Sequence, residues 1–441
     1  MAIVPTLSDR GLRLIGQRWS PRVHELKRFL ARSRVPFRWD DPAIDSEAHT
    51  LADIGPADPR SVPIVILPDG EVLVDPDVRT LAARLGLPTQ PASTLYDLIV
   101  VGGGPAGLTA GMHAAAEGLH TAVIEQDVPG GQSSHSAMIE NYPGLPKSVD
   151  GSALASRMVQ QAEKFGADIL VTRRATRLEP GELRYTVKLD DDTEVVSHAV
   201  VLAIGVSFRW LDAPGCAALV GAGIYYGAVT AEAAACRDQE VYVLGGGNSA
   251  GQAALFLSRF ARRVSILTRD ESLDESMSRY LVERIYRTPN ITFHPHTTVE
   301  DASGPGRLES LVIRDLVTGE TRRVPAQALF AFIGAAPRSE WLSGKVDVDD
   351  RGFVMCGYDY GGEAPDGWLL ERSPYSLETK LPGVFVAGDA RRGAIHRIVV
   401  AASEGASAVQ LVHQYFRDTP GLRADVDEPG GPGEPGSAMV R

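Results

Sequence analysis

Residues Asp97–Gly111 read DLIVVGGGPAGLTAG. An apolar run ending at Val101 predicts a strand, Gly102-Gly103-Gly104-Pro105-Ala106-Gly107 fits G-x-G-x-x-G, and the alanine-rich continuation predicts a helix. The glycines serve different ends. Gly102 permits the tight turn, Gly104 lets the backbone approach a pyrophosphate, and Gly107 lets the helix pack on the strand. The anion then meets the free N–H groups and positive dipole end of the helix. Glu125 closes the next apolar strand, TAVIE, where a carboxylate can bind both hydroxyls of a ribose.

The pattern recurs. EVYVLGGGNSAGQAA starts at Glu240, and its first loop glycine, Gly245, follows Gly102 by 245 − 102 = 143 residues. VSILT ends at Thr268, again 143 past Glu125, and VVLAIG, ending at Gly205, has its counterpart in LFAFIG, ending at Gly334. Two related dinucleotide-binding units are expected. In the second loop Gly245, Gly247, Asn248, Ser249 and Ala250 would hold the pyrophosphate. Thr268 stands at the ribose position with Arg269 after it, so no carboxylate is expected at that position to repel a 2′-phosphate, which leans toward NADPH over NADH, against the acids Asp270, Glu271 and Asp274 that crowd the same segment.

Composition sets limits. A chain of 441 residues calls for more than one core. The net charge of −12 argues against nucleic acid, and no apolar run reaches the ~20 residues that span a bilayer. The N-terminus lacks the basic and apolar regions of a secretory signal, so a cytoplasmic location is expected. Cys216, Cys236 and Cys356 contain no C-x-x-C, hence no local dithiol and no zinc knuckle. His294 and His296 alternate in ITFHPHTTV, but no third ligand is near, so a half-exposed strand is preferred and no metal is expected. Asp190–Asp192 reads as a solvated hairpin tip.

GVFVAGDARRGAIHRIVV, Gly383–Val400, predicts a strand ending at Gly388-Asp389 and a helix from Arg397. Asp389 can take a ribityl hydroxyl of FAD, and the helix N-terminus can face the flavin's pyrimidine edge. Together with GGGPAG, the PGGQ of Pro129–Gln132, IENYPG of Ile139–Gly144, VVLAIG, GGGNSA and LFAFIGAAPR, this resembles the low-molecular-weight thioredoxin reductase family over residues 96 to about 415. The resemblance implies two Rossmann-like α/β domains of the pyridine nucleotide-disulfide oxidoreductase type. FAD would sit on residues 96–212 and 335–418, and NAD(P)H on the interrupting 213–334, with rotation between the two and a homodimer. It places Gly131, Gln132, Asn141, Ala203, Gly205, Gly388, Asp389, Arg397 and Ile398 at the FAD, beside Gly102, Gly104, Pro105, Ala106, Gly107 and Glu125.

The family carries its reactive C-x-x-C in a Y-C-A-x-C context. Here that context reads Tyr226-Gly227-Ala228-Val229-Thr230, so Gly227 and Thr230 replace both cysteines. Cys236 reads as a packing residue. The expected activity is FAD-dependent NAD(P)H oxidation passing electrons straight to an external small molecule or redox protein. Tyr226 and His396 are the candidate side chains beside the flavin, and Tyr225 and Tyr226 a candidate aromatic wall. The rivals are disulfide reduction through another cysteine, electron transfer of the ferredoxin- or flavodoxin-NADP reductase type, and a silent flavin-binding sensor.

Residues 1–87, joined by a linker at 88–95, resemble a glutaredoxin-like thioredoxin fold in which Ser20-Pro21-Arg22-Val23 stands in place of C-P-x-C and Val62-Pro63 at the expected cis-proline. The module is expected to dock or regulate, or simply to stabilise. Residues 419–441, rich in Pro and Gly, are expected to be disordered.

Overall fold

The computed structural model describes residues 11–43, 62–136, 138–226, 232–233, 236–342, 344–419 and 421–422. Gly227–Thr230 and nearly all of the 419–441 tail, including everything after Leu422, lie outside them.

Near the N-terminus, Leu12–Ile15 (β1), Phe37–Asp40 (β2), Ile64–Ile66 (β3) and Val72–Val74 (β4) form a sheet in the order β2-β1-β3-β4. β2 runs parallel to β1 and β3 antiparallel. Pro21–Arg32 (α1) links the parallel pair, and Val78–Arg84 (α2) follows the hairpin. The Ser20 hydroxyl accepts the Val23 N–H, and Pro21 sits in the first turn, where its missing donor costs nothing. Val23, Leu26, Phe29 and Leu30 then share one face of α1, buried against Leu14, Val65 and Leu81. Ser20-Pro21 is thus a helix cap. The Val62–Pro63 bond is trans, against the sequence expectation; trans is the ordinary form even before proline.

Leu95–Val101 (β5), Pro105–Ala116 (α3), Thr121–Ile124 (β6), Gly151–Lys164 (α4), Asp168–Leu170 (β7), Ala175–Pro180 (β8), Tyr185–Leu189 (β9) and Glu194–Leu202 (β10) build the next sheet, in the order β7-β6-β5-β10-β9-β8. The core strands β7, β6, β5 and β10 are parallel, which explains their almost unbroken apolar runs, buried on both faces. Asp192, at φ +64°, turns the β9–β10 hairpin as expected, but the tip is not merely solvated: Asp190 pairs with Arg79 of α2, and Asp191 with Arg173.

The chain leaves through Val206–Phe208 (β11) and forms a second parallel sheet. Its members are Ile224–Tyr225 (β12), Glu240–Leu244 (β13), Arg263–Leu267 (β14), Ile291–His294 (β15) and, after an antiparallel excursion, Ala328–Ala331, in the spatial order β12, Ala328–Ala331, β13, β14, β15. Asn248–Leu257 (α5) follows β13, and Arg279–Tyr286 (α6) precedes β15. His296 is not on the strand with His294: it occupies the turn after β15 at φ +48°, its Nδ1 against the Arg269 carbonyl. Among the described residues there is no cluster that could hold a metal ion.

The chain returns through Ala335–Pro337, paired antiparallel with β11, so both crossings lie side by side. Val384–Val386 then joins β10, and the final helix Ile398–Asp418 (α7) packs on α3. A Cβ on Gly405 would lie 2.1 Å from the Ala106 carbonyl oxygen, which is how close the helices come.

Candidate functional site

A cavity of about 820 Å³ opens at the carboxyl ends of β5 and β10, where a parallel sheet leaves room for a ligand. Gly102, Gly104, Pro105, Ala106 and Glu125 line its first loop; Gly131 and Gln132 line the neighbouring turn. Ala203, Gly205, Gly388, Asp389, Arg397 and Ile398 line the opposite wall. Of the residues expected at FAD, Gly107 and Asn141 do not face the cavity, and Asn141 is exposed.

The glycines separate by what they touch. Gly102 has φ +109°, and a Cβ there would lie 2.3 Å from the Ala203 carbonyl oxygen. A Cβ on Gly107 would lie 1.8 Å from the Gly102 oxygen. Both are glycine for the fold. Gly104 has ordinary dihedrals, and a Cβ there would find nothing nearer than 3.8 Å. Its open side faces the cavity, as an approaching pyrophosphate requires. No side chain caps α3, so its first N–H groups are free for an anion.

The Glu125 carboxylate accepts the Gly103 N–H at 2.8 Å and the Asp127 N–H at 2.9 Å. Burial pushes its pKa up, opposed by those two bonds. It is therefore fixed beside the loop with lone pairs left for ribose hydroxyls. Asp389 is engaged by His396, whose Nδ1 lies 3.4 Å from Oδ2; that bond raises the pKa of His396, a half-exposed group at the mouth of the cavity. These donors and acceptors fit FAD: an open glycine and free helix N–H groups for its pyrophosphate, Glu125 for its adenosine ribose and Asp389 for its ribityl chain.

The second loop has the same shape. Gly245, at φ +138°, is pressed on the Phe332 carbonyl oxygen, while a Cβ on Gly247 would meet nothing nearer than the Ser276 carbonyl oxygen at 4.0 Å, and α5 has no side-chain cap. Asn248 Oδ1 accepts the Ser278 N–H at 2.7 Å, tying the loop to α6, and Ser249 reaches the large cavity. Ala250 is buried and Arg269 exposed. The expectation of no carboxylate at this ribose position is corrected. A Cβ on Gly246 would lie 2.5 Å from Asp270 Oδ2 and 3.0 Å from Thr268 Oγ1. Thr268 Oγ1 accepts the Asp270 N–H at 3.0 Å, and that tight turn brings the later carboxylate back to the loop.

Sequence reasoning missed the part of the wall supplied by α1. His24, Arg28 and Arg32 all line the cavity. Arg32, nearly buried, donates to Ser134 Oγ at 3.1 Å and to the Val128 carbonyl at 2.8 Å, and pairs with Asp127. The His24 ring meets Tyr225 at a tilt of 47°, with centroids 5.4 Å apart, and its Nδ1 lies 3.2 Å from Glu232. Burial pushes His24 down to about 4 and Glu232 up to about 7. The one local hint was a helix carrying His24, Arg28 and Arg32 four residues apart, on one face. Tyr226 also lines the cavity; its hydroxyl accepts the Leu211 N–H at 2.9 Å, and its ring meets Trp210 edge-on at 4.7 Å.

The model of the family described as pyridine nucleotide-disulphide oxidoreductase matches residues 96–405. The chain belongs to that family, in its thioredoxin reductase-like branch. Thioredoxin reductase of Mycolicibacterium smegmatis is 35% identical over 72% of this chain and 95% of its own length. That of Peptoclostridium acidaminophilum is 32% identical over 73% and 97%. Among solved structures, thioredoxin reductase of Lactococcus lactis superposes with a TM-score of 0.65 at 28% identity, covering 74% of this chain and all of the other. As a member of this family the chain is an FAD-dependent NAD(P)H oxidoreductase; the family uses FAD and NADPH. The family match begins at residue 96, after the N-terminal sheet. No described helix is long and apolar enough to cross a membrane.

All three cysteines are buried within side-chain cores. Burial pushes Cys216 up to about 11, and Cys236 and Cys356 up to about 12. None lines the cavity. A thiol held neutral and out of reach is a poor nucleophile.

Proposed function

We propose that this oxidoreductase hands electrons from its flavin directly to an acceptor outside the chain, with no internal redox disulfide. The observation that carries the reading is the position of Cys216, Cys236 and Cys356, all buried, with raised pKa and away from the cavity. Gly227 and Thr230 occupy the sequence positions of the family's reactive cysteines. When bound, FAD would accept hydride from the nicotinamide and pass two electrons onward.

The chain's own residues bind, orient and screen. Residues 96–212 with 335–418 would hold FAD through Gly104, Glu125 and Asp389, and 213–334 would hold the nicotinamide dinucleotide through Gly247 and its neighbours. His396, its ring nitrogen against Asp389 at the rim, is placed to hold a proton near an incoming acceptor. Residues 1–87, a glutaredoxin-like module without its cysteines, would cover the cavity with α1. The acceptor would be a small molecule or a small redox protein that reaches past His24, Arg28 and Tyr226. A cytoplasmic homodimer fits the reduced cysteines and the family resemblance.

Anaerobic rapid mixing with NADH and with NADPH, followed by a panel of quinones, ferredoxin, oxygen and disulfides, tests this. Flavin bleaching and turnover with a non-disulfide acceptor are expected, unchanged in the triple variant Cys216→Ser, Cys236→Ser, Cys356→Ser. Disulfide reduction that disappears in the triple variant would overturn the reading, as would a flavin that neither nucleotide bleaches.

A further inference from the structure

The two glycine loops place a carboxylate at the same spot by different routes. In the first, Gly103 donates its N–H to Glu125, and a Cβ on Gly103 would sit 3.1 Å from Oε2. The counterpart of Gly103 is Gly246, 143 residues on, and the counterpart of Glu125 is Thr268. Thr268 carries no charge, yet a Cβ on Gly246 would sit 2.5 Å from Asp270 Oδ2. The carboxylate comes from two residues later. Thr268 Oγ1 folds the chain by accepting the Asp270 N–H, and the Ser276 hydroxyl lies 3.4 Å from the same Oδ2.

We infer that Asp270 makes the nicotinamide site of this chain select NADH over NADPH. The inference rests on the reading above that the second loop holds a nicotinamide dinucleotide. A carboxylate at this place accepts hydrogen bonds from ribose hydroxyls; a 2′-phosphate there meets like charge and leaves the carboxylate without a donor. The nearby sequence reinforces the sign. Glu271, Asp274 and Glu275 follow within five residues, against the single cation Arg269, and Arg279 is drawn off to Glu283 at 3.0 Å. The site therefore departs from the family's NADPH preference through one side chain that pairwise repeat alignment does not find.

Calorimetric titration of the flavin-loaded full chain with NAD⁺ and with NADP⁺, the oxidised forms so that no turnover intervenes, provides the test. The wild type is expected to bind NAD⁺ about tenfold or more tightly than NADP⁺. Asp270→Asn, which keeps the shape, and Asp270→Ser, which opens it, are each expected to shrink that ratio by about tenfold, with thermal unfolding confirming that both variants fold. NADP⁺ bound as tightly as NAD⁺ by the wild type overturns the inference, and so does an unchanged ratio in both variants. A preference for NADP⁺ that is lost in Arg269→Ala overturns it by naming the other residue. Binding of neither nucleotide defeats the functional reading as well, whereas a reversed preference with intact binding defeats the selectivity alone.

Discussion

The loops Gly102–Gly107 and Gly245–Ala250 share a turn, a strand before it and a helix behind it, yet they tolerate different side chains. Gly102 and Gly245 are both forced, each by a positive φ and by a carbonyl oxygen of the neighbouring segment, at Ala203 and Phe332. The last position differs. Gly107 has the Gly102 oxygen 1.8 Å from where a Cβ would go, whereas its counterpart already carries one in Ala250. At Gly104 and Gly247 nothing in the protein objects to a side chain. The comparison separates glycines that the fold demands from glycines that only a ligand can demand.

The largest effect should come where the loops disagree. Gly107→Ala drives a methyl into a backbone oxygen that cannot yield without undoing the turn, and should cost about 4 kcal/mol or more, with loss of flavin on purification. Ala250→Gly should cost only about 2 kcal/mol, the difference between the two residues in a helix plus one buried methyl. Thermal melts and flavin content of the pair decide it; equal losses would mean that the loops are packed alike.

A smaller and more selective effect is expected where the loops agree. Gly104→Ala should leave unfolding nearly unchanged while weakening flavin binding about tenfold, and Gly247→Ala should do the same to nicotinamide nucleotide and not to flavin. A Gly104→Ala protein with full flavin affinity would place the pyrophosphate elsewhere.

The smallest effect is a slope. Glu232, raised to about 7 from an ordinary 4.5, binds its proton more tightly in the folded chain, so its contribution is whole below about 4.5 and lost as the pH rises through about 7. His24, lowered to about 4 from 6.5, does the reverse: its contribution is whole above about 6.5 and lost as the pH falls through about 4. The two nearly cancel between about 4.5 and 6.5. His24→Gln should expose the Glu232 slope, with stability falling as pH rises. Glu232→Gln should expose the opposite one, each at most about 1.4 kcal/mol per pH unit. Denaturant midpoints across that range measure both, and parallel curves for the two variants would contradict the pairing.

How much of this was legible follows from range. Strand, loop and helix around Gly102, and the placement of Glu125, are local matters, and the sequence states them within about thirty residues. The 143-residue repeat carried the same logic to Gly245 but failed at Asp270. There a hydrogen bond from its N–H to Thr268 moves the carboxylate beside the loop by two positions, and alignment counts residues rather than hydroxyls. The cis-proline at Val62-Pro63 was inferred from likeness and is trans. The reach of α1 into the large cavity depends on Arg32 meeting Asp127 and Ser134 some hundred residues away, and no local pattern encodes a meeting of that kind.

Helix α1 is anchored at two ends to two different bodies. Arg32 grips the sheet that bears the first loop, and His24 touches Glu232 on the other side of the β11 crossing. The crossings themselves, Val206–Phe208 beside Ala335–Pro337, form a narrow two-stranded strap. Helix α1 is then a cross-brace between two sheets, tied by a guanidinium at one end and by an imidazole at the other.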